Sequence, residues 1–240
     1  MEFFIVYYIL GIVMLPGLIF AIVAEVKVKS SYSEMSKILS KKGIPAWQVA
    51  RQILDKNNLQ HITLEKISGT LTDNYDPKKE RIALSEKVYD GTDVASIGIA
   101  LHEVGHAIQF AQEYGPAKMR LALVPVINIS SQILWPMIFI GFLFNFFGGW
   151  DNIVGQIFIW LAIAFFSLTL LFSLITLPTE LDASKRAKEE LVSVGALDSE
   201  EMVGASKVLN AAALTYVASL VVSILSLLRF LLAIQVMKDR

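Results

Sequence analysis

The chain has 240 residues, of which 55% are hydrophobic and 18% are charged. A soluble domain carries about 25% charged residues and about 45–50% apolar ones, so this composition favours a membrane protein and excludes a disordered or collagen-like chain. The net charge of −1 gives no indication of a nucleic-acid partner. Because the chain has no cysteine, disulfides, cysteine-ligated zinc and a cysteine nucleophile are also excluded.

Four apolar runs are each long enough to cross a hydrocarbon core of about 30 Å. They cover 3–24, 121–147, 153–177 and a stretch that starts near 208. The second and third runs are so close in the chain that we expect them to form a tight hairpin. The sequence therefore predicts a transmembrane anchor, an α+β domain, a transmembrane hairpin, a helical segment and a final transmembrane helix, over 1–24, 25–120, 121–178, 179–207 and 208–240.

Positive charge predicts the orientation in the membrane. Of the 21 Lys and Arg residues, 14 lie in 25–120 and four lie in 179–207, whereas the hairpin tip has none. Since Lys and Arg collect on the cytoplasmic side, we expect both polar segments in the cytoplasm of a multi-pass protein of the cell (inner or plasma) membrane. The hairpin tip and the N-terminus are then outside. The first run has no basic residue before it and no clean cleavage site after it, so we expect it to remain as an anchor.

The segment 25–120 has the pattern of a small folded domain. We predict helices over 32–42 and 46–56, then short strands over 61–65 and 81–85 with turn-forming residues at 72–77 between them. Thr92 is the expected N-cap of a helix that runs to about Glu113 and is ended by the pair Gly115 and Pro116. In 179–207, a second helix is expected from Thr179 to Val194.

The expected helix after Thr92 contains the pattern H-E-x-x-H, formed by His102, Glu103 and His106. Two histidines four residues apart lie on one helical face, about one turn apart, and can hold one zinc ion. Glu103 lies about 100° around the helix, where it can act as general base on the attacking water without being a ligand. Gly105 lowers helix propensity, so we expect another segment to approach closely there.

The third zinc ligand is not determined by the spacing alone. A catalytic zinc usually has three protein ligands and an open position. A histidine six residues beyond His106 would indicate a metzincin, but that position is Gln112. The remaining candidates are His61 and a carboxylate. The best carboxylate is Glu180, which follows the third apolar run and returns to the same side as His102, although an acid in the first turn of a helix also suits the helix dipole.

The sequence resembles the YugP-like family of bacterial membrane zinc metallopeptidases over most of its length. The resemblance is carried by 71–77, Leu84-Ser85 with Val88-Tyr89, 102–109 and 177–187. It implies a mainly α-helical polytopic membrane protein with about four transmembrane helices and a small α+β cytoplasmic zincin-like domain. It also implies peptide-bond hydrolysis, one Zn²⁺ per chain, Glu103 as catalytic base, and Glu180 as third ligand beside His102 and His106.

Several further side chains are candidates for supporting this site. Related proteases have Asp four residues after the ligand glutamate; here that residue is Ser184, on the helical face of Glu180, where it can orient a histidine. Asp182 points away if the helix begins at Thr179, and it then suits a capping role. The candidate oxyanion donors are Tyr75, Tyr89 and Arg186. Residues 82–84 are an edge strand that either binds substrate or is only structural.

Three interpretations follow from these patterns. The first is a metallopeptidase at the cytoplasmic membrane face that cleaves a peptide or a membrane protein. The second, a site-2 type intramembrane protease, needs an Asn-Pro-Asp-Gly type motif that the chain lacks. The third is a non-enzymatic adaptor or regulatory subunit with a structural zinc, against which Glu103 argues. Since an always-active protease would endanger cytosolic proteins, we also expect a regulatory membrane partner or a homo-oligomer.

Overall fold

The computed structural model describes residues 8–150 and 152–238. After a 3-10 turn (Leu10–Met14), its elements in chain order are α1 (Leu15–Met35), α2 (Ala46–Lys56), β1 (Thr63–Ile67), β2 (Asn74–Asp76), β3 (Arg81–Ser85), α3 (Glu86–Tyr89), α4 (Val94–Ala111), α5 (Gly115–Gly148), α6 (Ile153–Ser193) and α7 (Ser199–Lys238).

Four helices of the described residues are long and apolar enough to cross a membrane. They span Leu10–Met35, Gly115–Gly148, Ile153–Ser193 and Ser199–Val236. Together with the small three-stranded sheet, they confirm the predicted fold class. Residues 3–7 of the first apolar run, Asp151 of the hairpin tip and the last two residues lie outside the described residues.

Two predicted helix boundaries near α1 and α5 are wrong. The expected helix over 32–42 is present only at 32–35, as the end of α1, and the chain turns after Met35. In that turn Ser40 donates its backbone N–H to the carbonyl of Thr92. Gly115 and Pro116 begin α5 instead of ending α4. Proline is tolerated there because a first-turn N–H has no helical partner to lose.

The starts of two further helices also differ from the prediction. Residues from Thr179 onward continue α6, which passes through Pro178 without a break. A proline inside a helix removes one N–H donor, but the helical segments before and after Pro178 both persist. The last helix starts at Ser199, not near 208, because Asp198 and Glu201 each accept the other's backbone N–H in a reciprocal cap.

The sheet has the strand order β1-β3-β2. β3 pairs in parallel with β1 and antiparallel with β2, so β3 is the central strand. The prediction that residues 82–84 form an edge is therefore wrong. Their apolar side chains are fully buried, which suits a central strand better than an exposed edge. β1 and β2 are the two edges, and β2 is the one packed against α4 more extensively.

The chain divides into two units, and one of them carries the sheet. It consists of Val23–Lys118 and Pro178–Thr215. Its core joins the apolar face of α2 to β3, α4 and the adjoining parts of α6 and α7, with Ile53, Ile82, Leu101, Leu191 and Leu209 among its buried members. The remaining described residues form the other unit, in which Phe166 and Phe230 have ring centroids 5.0 Å apart. The domain boundaries predicted from the sequence stay predictions.

Candidate metal centre

Helix α4 places the two histidines of the H-E-x-x-H pattern side by side. Its N-cap is Asp93, whose carboxylate accepts the backbone N–H of Ser96 at 2.9 Å and the Ser96 hydroxyl at 2.7 Å. The expected cap at Thr92 is therefore wrong: the Asp93 carboxylate makes the cap, and the Thr92 carbonyl is engaged by Ser40. One turn apart, the rings of His102 and His106 have centroids 4.8 Å apart and are nearly perpendicular.

Glu180 of α6 points its carboxylate at both histidines. Its Oε2 lies 3.1 Å from Nε2 of His102 and 3.4 Å from Nε2 of His106. The carboxylate is buried, with only 2% of the side chain exposed. One ligand atom from each of these three residues lies within 4.8 Å of the others. The structure thus brings together the three residues that the sequence and the family resemblance predicted as zinc ligands.

These three side chains fit a zinc ion. Two imidazoles and one carboxylate are a donor set of catalytic zinc sites, which leave a fourth position open. Atoms that share a tetrahedral zinc at about 2.0–2.1 Å lie roughly 3.3 Å apart. The measured spacings of 3.1 and 3.4 Å from Glu180 Oε2 to the two histidine nitrogens match that value. A cation would also compensate the buried charge of Glu180, which is otherwise costly to remove from water.

Gly105 lets the two helices come close enough to assemble this group. A Cβ atom at position 105 would overlap the backbone carbonyl of Ala183 in α6. The expected close approach of another segment at Gly105 is therefore confirmed. Because Ala183 is three residues after Glu180, this crossing sets how far α6 can stand from the histidines.

Ser184 lies against the first histidine. Its hydroxyl is 3.1 Å from Nδ1 of His102, the ring nitrogen that does not face Glu180. A hydrogen bond to Nδ1 fixes the ring orientation and the tautomer of a ligand histidine. Ser184 is buried, so this contact is shielded from water.

Gln109 supports the second histidine, and the sequence analysis missed it. Its amide nitrogen donates to the carbonyl of Thr179 and to the carboxylate of Asp182, both at 2.8 Å. Since both of those partners are acceptors, the amide oxygen must face Nδ1 of His106, at 3.0 Å. Nδ1 therefore carries a proton, and Nε2, which lies on the side of Glu180, is the nitrogen that could bind a metal. The signal available in the sequence was a glutamine three positions after His106, which places it on the same helical face.

Asp182 does not cap a helix, because no helix begins at Thr179. Its carboxylate accepts from Gln109 and from Nε of Arg186. It therefore meets His106 only through Gln109. The expected capping role is therefore wrong. It depended on a helix that begins at Thr179, whereas α6 continues through Pro178.

Glu103 is buried beside the three candidate ligands. Burial raises the pKa of its carboxyl, while the charges of His102 and His106 act in the opposite direction. A glutamate whose pKa is moved toward neutrality both accepts and releases protons more readily near pH 7.

The other predicted site residues occupy different surroundings. Tyr89 stacks on Trp47, with ring centroids 5.8 Å apart. Arg186 is engaged by Asp182 and by the side chain of Gln112. Tyr75 lies on the edge strand β2, 5.8 Å from the ring of Phe110 in α4. His61 is exposed just before β1, and it is not part of the candidate group found among the described residues.

Comparison with known proteins agrees with this geometry. The family model described as "Putative neutral zinc metallopeptidase" matches residues 10–235. The protein named "Putative membrane protease YugP" of Bacillus subtilis (strain 168) is 43% identical over 209 residues, which cover 87% of this chain and 89% of that protein. No solved structure matches the chain. A match over nearly the whole length means that the chain belongs to this family of zinc metallopeptidases.

Proposed function

We propose that this protein is a zinc-dependent endopeptidase that hydrolyses peptide bonds at the cytoplasmic face of the membrane. The observation that carries the proposal is the convergence of His102, His106 and Glu180 next to the buried carboxyl of Glu103. A purely structural zinc site needs a fourth ligand and no general base, whereas a hydrolytic site needs an open position and a base.

His102, His106 and Glu180 would hold the ion. When bound, zinc supplies Lewis-acid chemistry, which polarises the peptide carbonyl and makes water a nucleophile at neutral pH. Ser184 and Gln109 hold the two imidazoles turned toward the shared position, since each contacts the Nδ1 atom of one ring.

Glu103 is the proposed proton carrier. Its carboxylate accepts a proton from the attacking water and delivers it to the amine that leaves when the peptide bond breaks. Burial raises the pKa of this carboxyl, which makes the protonated form accessible between these two transfers.

The edge strand β2 is the proposed substrate platform. It pairs only with β3 among the described strands and packs against α4, so its other edge offers backbone groups to an extended peptide. Tyr75 on this strand is the favoured oxyanion donor of the three candidates. Burial raises the pKa of Tyr75 to about 12, so its hydroxyl keeps the proton to donate. Tyr75→Phe should lower kcat about 100-fold or more with little change in KM, and an unchanged kcat would remove this role.

The orientation of the site is part of the proposal. The segments 25–120 and 179–207 carry 18 of the 21 Lys and Arg residues, which favours the cytoplasmic side for both. Cysteine labelling with a membrane-impermeant reagent tests this assignment. Exposed positions such as Lys66 and Lys185, changed to cysteine one at a time, should react in inverted vesicles and not in intact cells. The opposite pattern would reverse the orientation.

Activity is tested with Glu103→Gln, which keeps the shape of the side chain but cannot accept the proton. Wild type reconstituted with zinc in detergent should cleave a fluorescently labelled unfolded casein, and Glu103→Gln should bind zinc without cleaving. The matched control is Glu113→Gln, an exposed glutamate paired with Lys118. Cleavage that survives in Glu103→Gln would contradict the role proposed for Glu103, whereas no cleavage by zinc-loaded wild type would support the adaptor interpretation. Activity of a monodisperse monomer without any added protein would remove the expected regulatory partner or oligomer.

A further inference from the structure

A cavity of about 670 Å³ lies between α1 and α7, in the unit that carries the sheet. Its lining includes two ammonium groups, from Lys27 and Lys207, and two neutral polar side chains, from Ser206 and Asn210. The apolar residues Met202, Val203, Ala211 and Leu214 complete the lining on α7. None of these residues belongs to the candidate metal centre.

The polar lining residues lie at the ends of the long apolar stretches of the two helices. On α7, Ser206, Lys207 and Asn210 come before the long apolar stretch that begins at Ala211. On α1, Lys27 follows the apolar stretch, and Val23 and Val26 before it are exposed. Both helices are candidate membrane spans, so the cavity lies where the apolar part of each helix is followed or preceded by charged residues. That is the depth of lipid headgroups.

The cavity has positive charge that is available to a ligand. Lys207 pairs with Glu34 at 2.6 Å, but both side chains are about half exposed, and such a pair contributes little stability. Within the described part of the chain, Lys27 forms no ion pair. A phosphate entering the cavity would meet both ammonium groups, with the Asn210 amide and the Ser206 hydroxyl as further donors.

We propose that this cavity binds the headgroup of an anionic glycerophospholipid from the surrounding bilayer. The phosphate takes the polar part of the lining, and the first acyl carbons lie beside Leu214 and the exposed valines of α1. A zwitterionic headgroup carries a cation that offsets its own phosphate, and a neutral detergent carries no charge. Both should therefore bind to the two lysines more weakly than an anionic headgroup does. The inference is independent of the peptidase activity.

The test compares lipids on the full-length chain by native mass spectrometry after delipidation in detergent. The probes are phosphatidylglycerol and phosphatidylcholine with identical acyl chains. Each lysine near an anionic headgroup is worth about a five-fold factor in affinity, so Lys27→Gln with Lys207→Gln should weaken phosphatidylglycerol binding about 25-fold. Phosphatidylcholine binding should change little.

Two further variants separate the cavity from general charge. Lys29→Gln with Lys66→Gln removes the same charge from exposed lysines that do not line the cavity, and it should keep wild-type affinity. Val203→Trp fills the cavity from an exposed lining position without changing charge, and it should also weaken phosphatidylglycerol binding. Equal retention of the two lipids by wild type, or an equal loss in the Lys29 and Lys66 control, would overturn the proposal.

Discussion

Replacing Gln109 by Leu tests whether the amide that links α4 to α6 also tunes the metal centre. The substitution keeps the size of a fully buried side chain but removes three hydrogen bonds. Asp182 retains Arg186, and the carbonyl of Thr179 retains its place in α6, so neither is left without a partner. Leucine has no acceptor, so the Nδ1–H group of His106 loses its hydrogen bond.

The expected loss follows from that one unpaired group. A buried donor without an acceptor costs about 1–3 kcal/mol. Since about 1.4 kcal/mol corresponds to a ten-fold change in affinity, zinc should bind about 10- to 100-fold more weakly. The fold should persist, because the apolar core of the unit is untouched.

Competition with a chromophoric chelator measures the zinc affinity of Gln109→Leu directly. Gln60→Leu is the control, since Gln60 is exposed and bonds only locally, to the carbonyl of Asp55. Circular dichroism of both variants checks that the helices remain. Wild-type zinc affinity in Gln109→Leu would refute the argument that Gln109 orients His106.

Two other predictions concern the stability of the unit. Gly105→Ala forces a Cβ against the Ala183 carbonyl, so it should lower the free energy of unfolding by about 1–3 kcal/mol and weaken zinc binding, whereas Gly115→Ala, which meets open space, should do neither. Burial raises the pKa of Asp73 more than its hydrogen bonds from Ser85 lower it. The stabilisation from this group is therefore present below its ordinary value of 3.8 and is lost as pH rises through the raised value. The melting temperature of Asp73→Asn minus that of wild type should accordingly increase as pH rises from about 4 to about 8. A difference that does not change with pH would contradict this prediction.

The parts of the site that depend on local geometry were predictable from the sequence. Two histidines four residues apart meet on any helix, and α4 forms close to where the sequence predicts it, with its cap at Asp93 one residue after the expected Thr92. The close approach at Gly105 was also predictable, because a glycine inside a helix is costly without a packing reason. Glu180 was different, since its proximity to the histidines depends on two intervening spans. The charge pattern indicated that it returns to the side of His102, and the family resemblance then implied that it is the third ligand.

The errors arose where tertiary packing overrides local signals. The strand pattern at 81–85 predicted β3 but not its central position in the sheet, because strand order depends on which segments pack against α4. Gly115 with Pro116, and Pro178, predict helix boundaries from local signals, although α5 begins with the first pair and α6 continues through Pro178. Gln109 was missed because its partners, Thr179 and Asp182, are about 70 residues away in the chain.

The most direct test of the central claim is the zinc content of purified protein in detergent, measured by mass spectrometry. Wild type should hold one zinc per chain, and Glu180→Ala should lose it or bind it far more weakly. His61→Ala and Glu189→Ala, the latter an exposed glutamate on the same helix paired with Lys185, should keep full zinc. Full zinc in Glu180→Ala, or its loss in His61→Ala, would contradict the assignment of two histidines and Glu180 as the ligands.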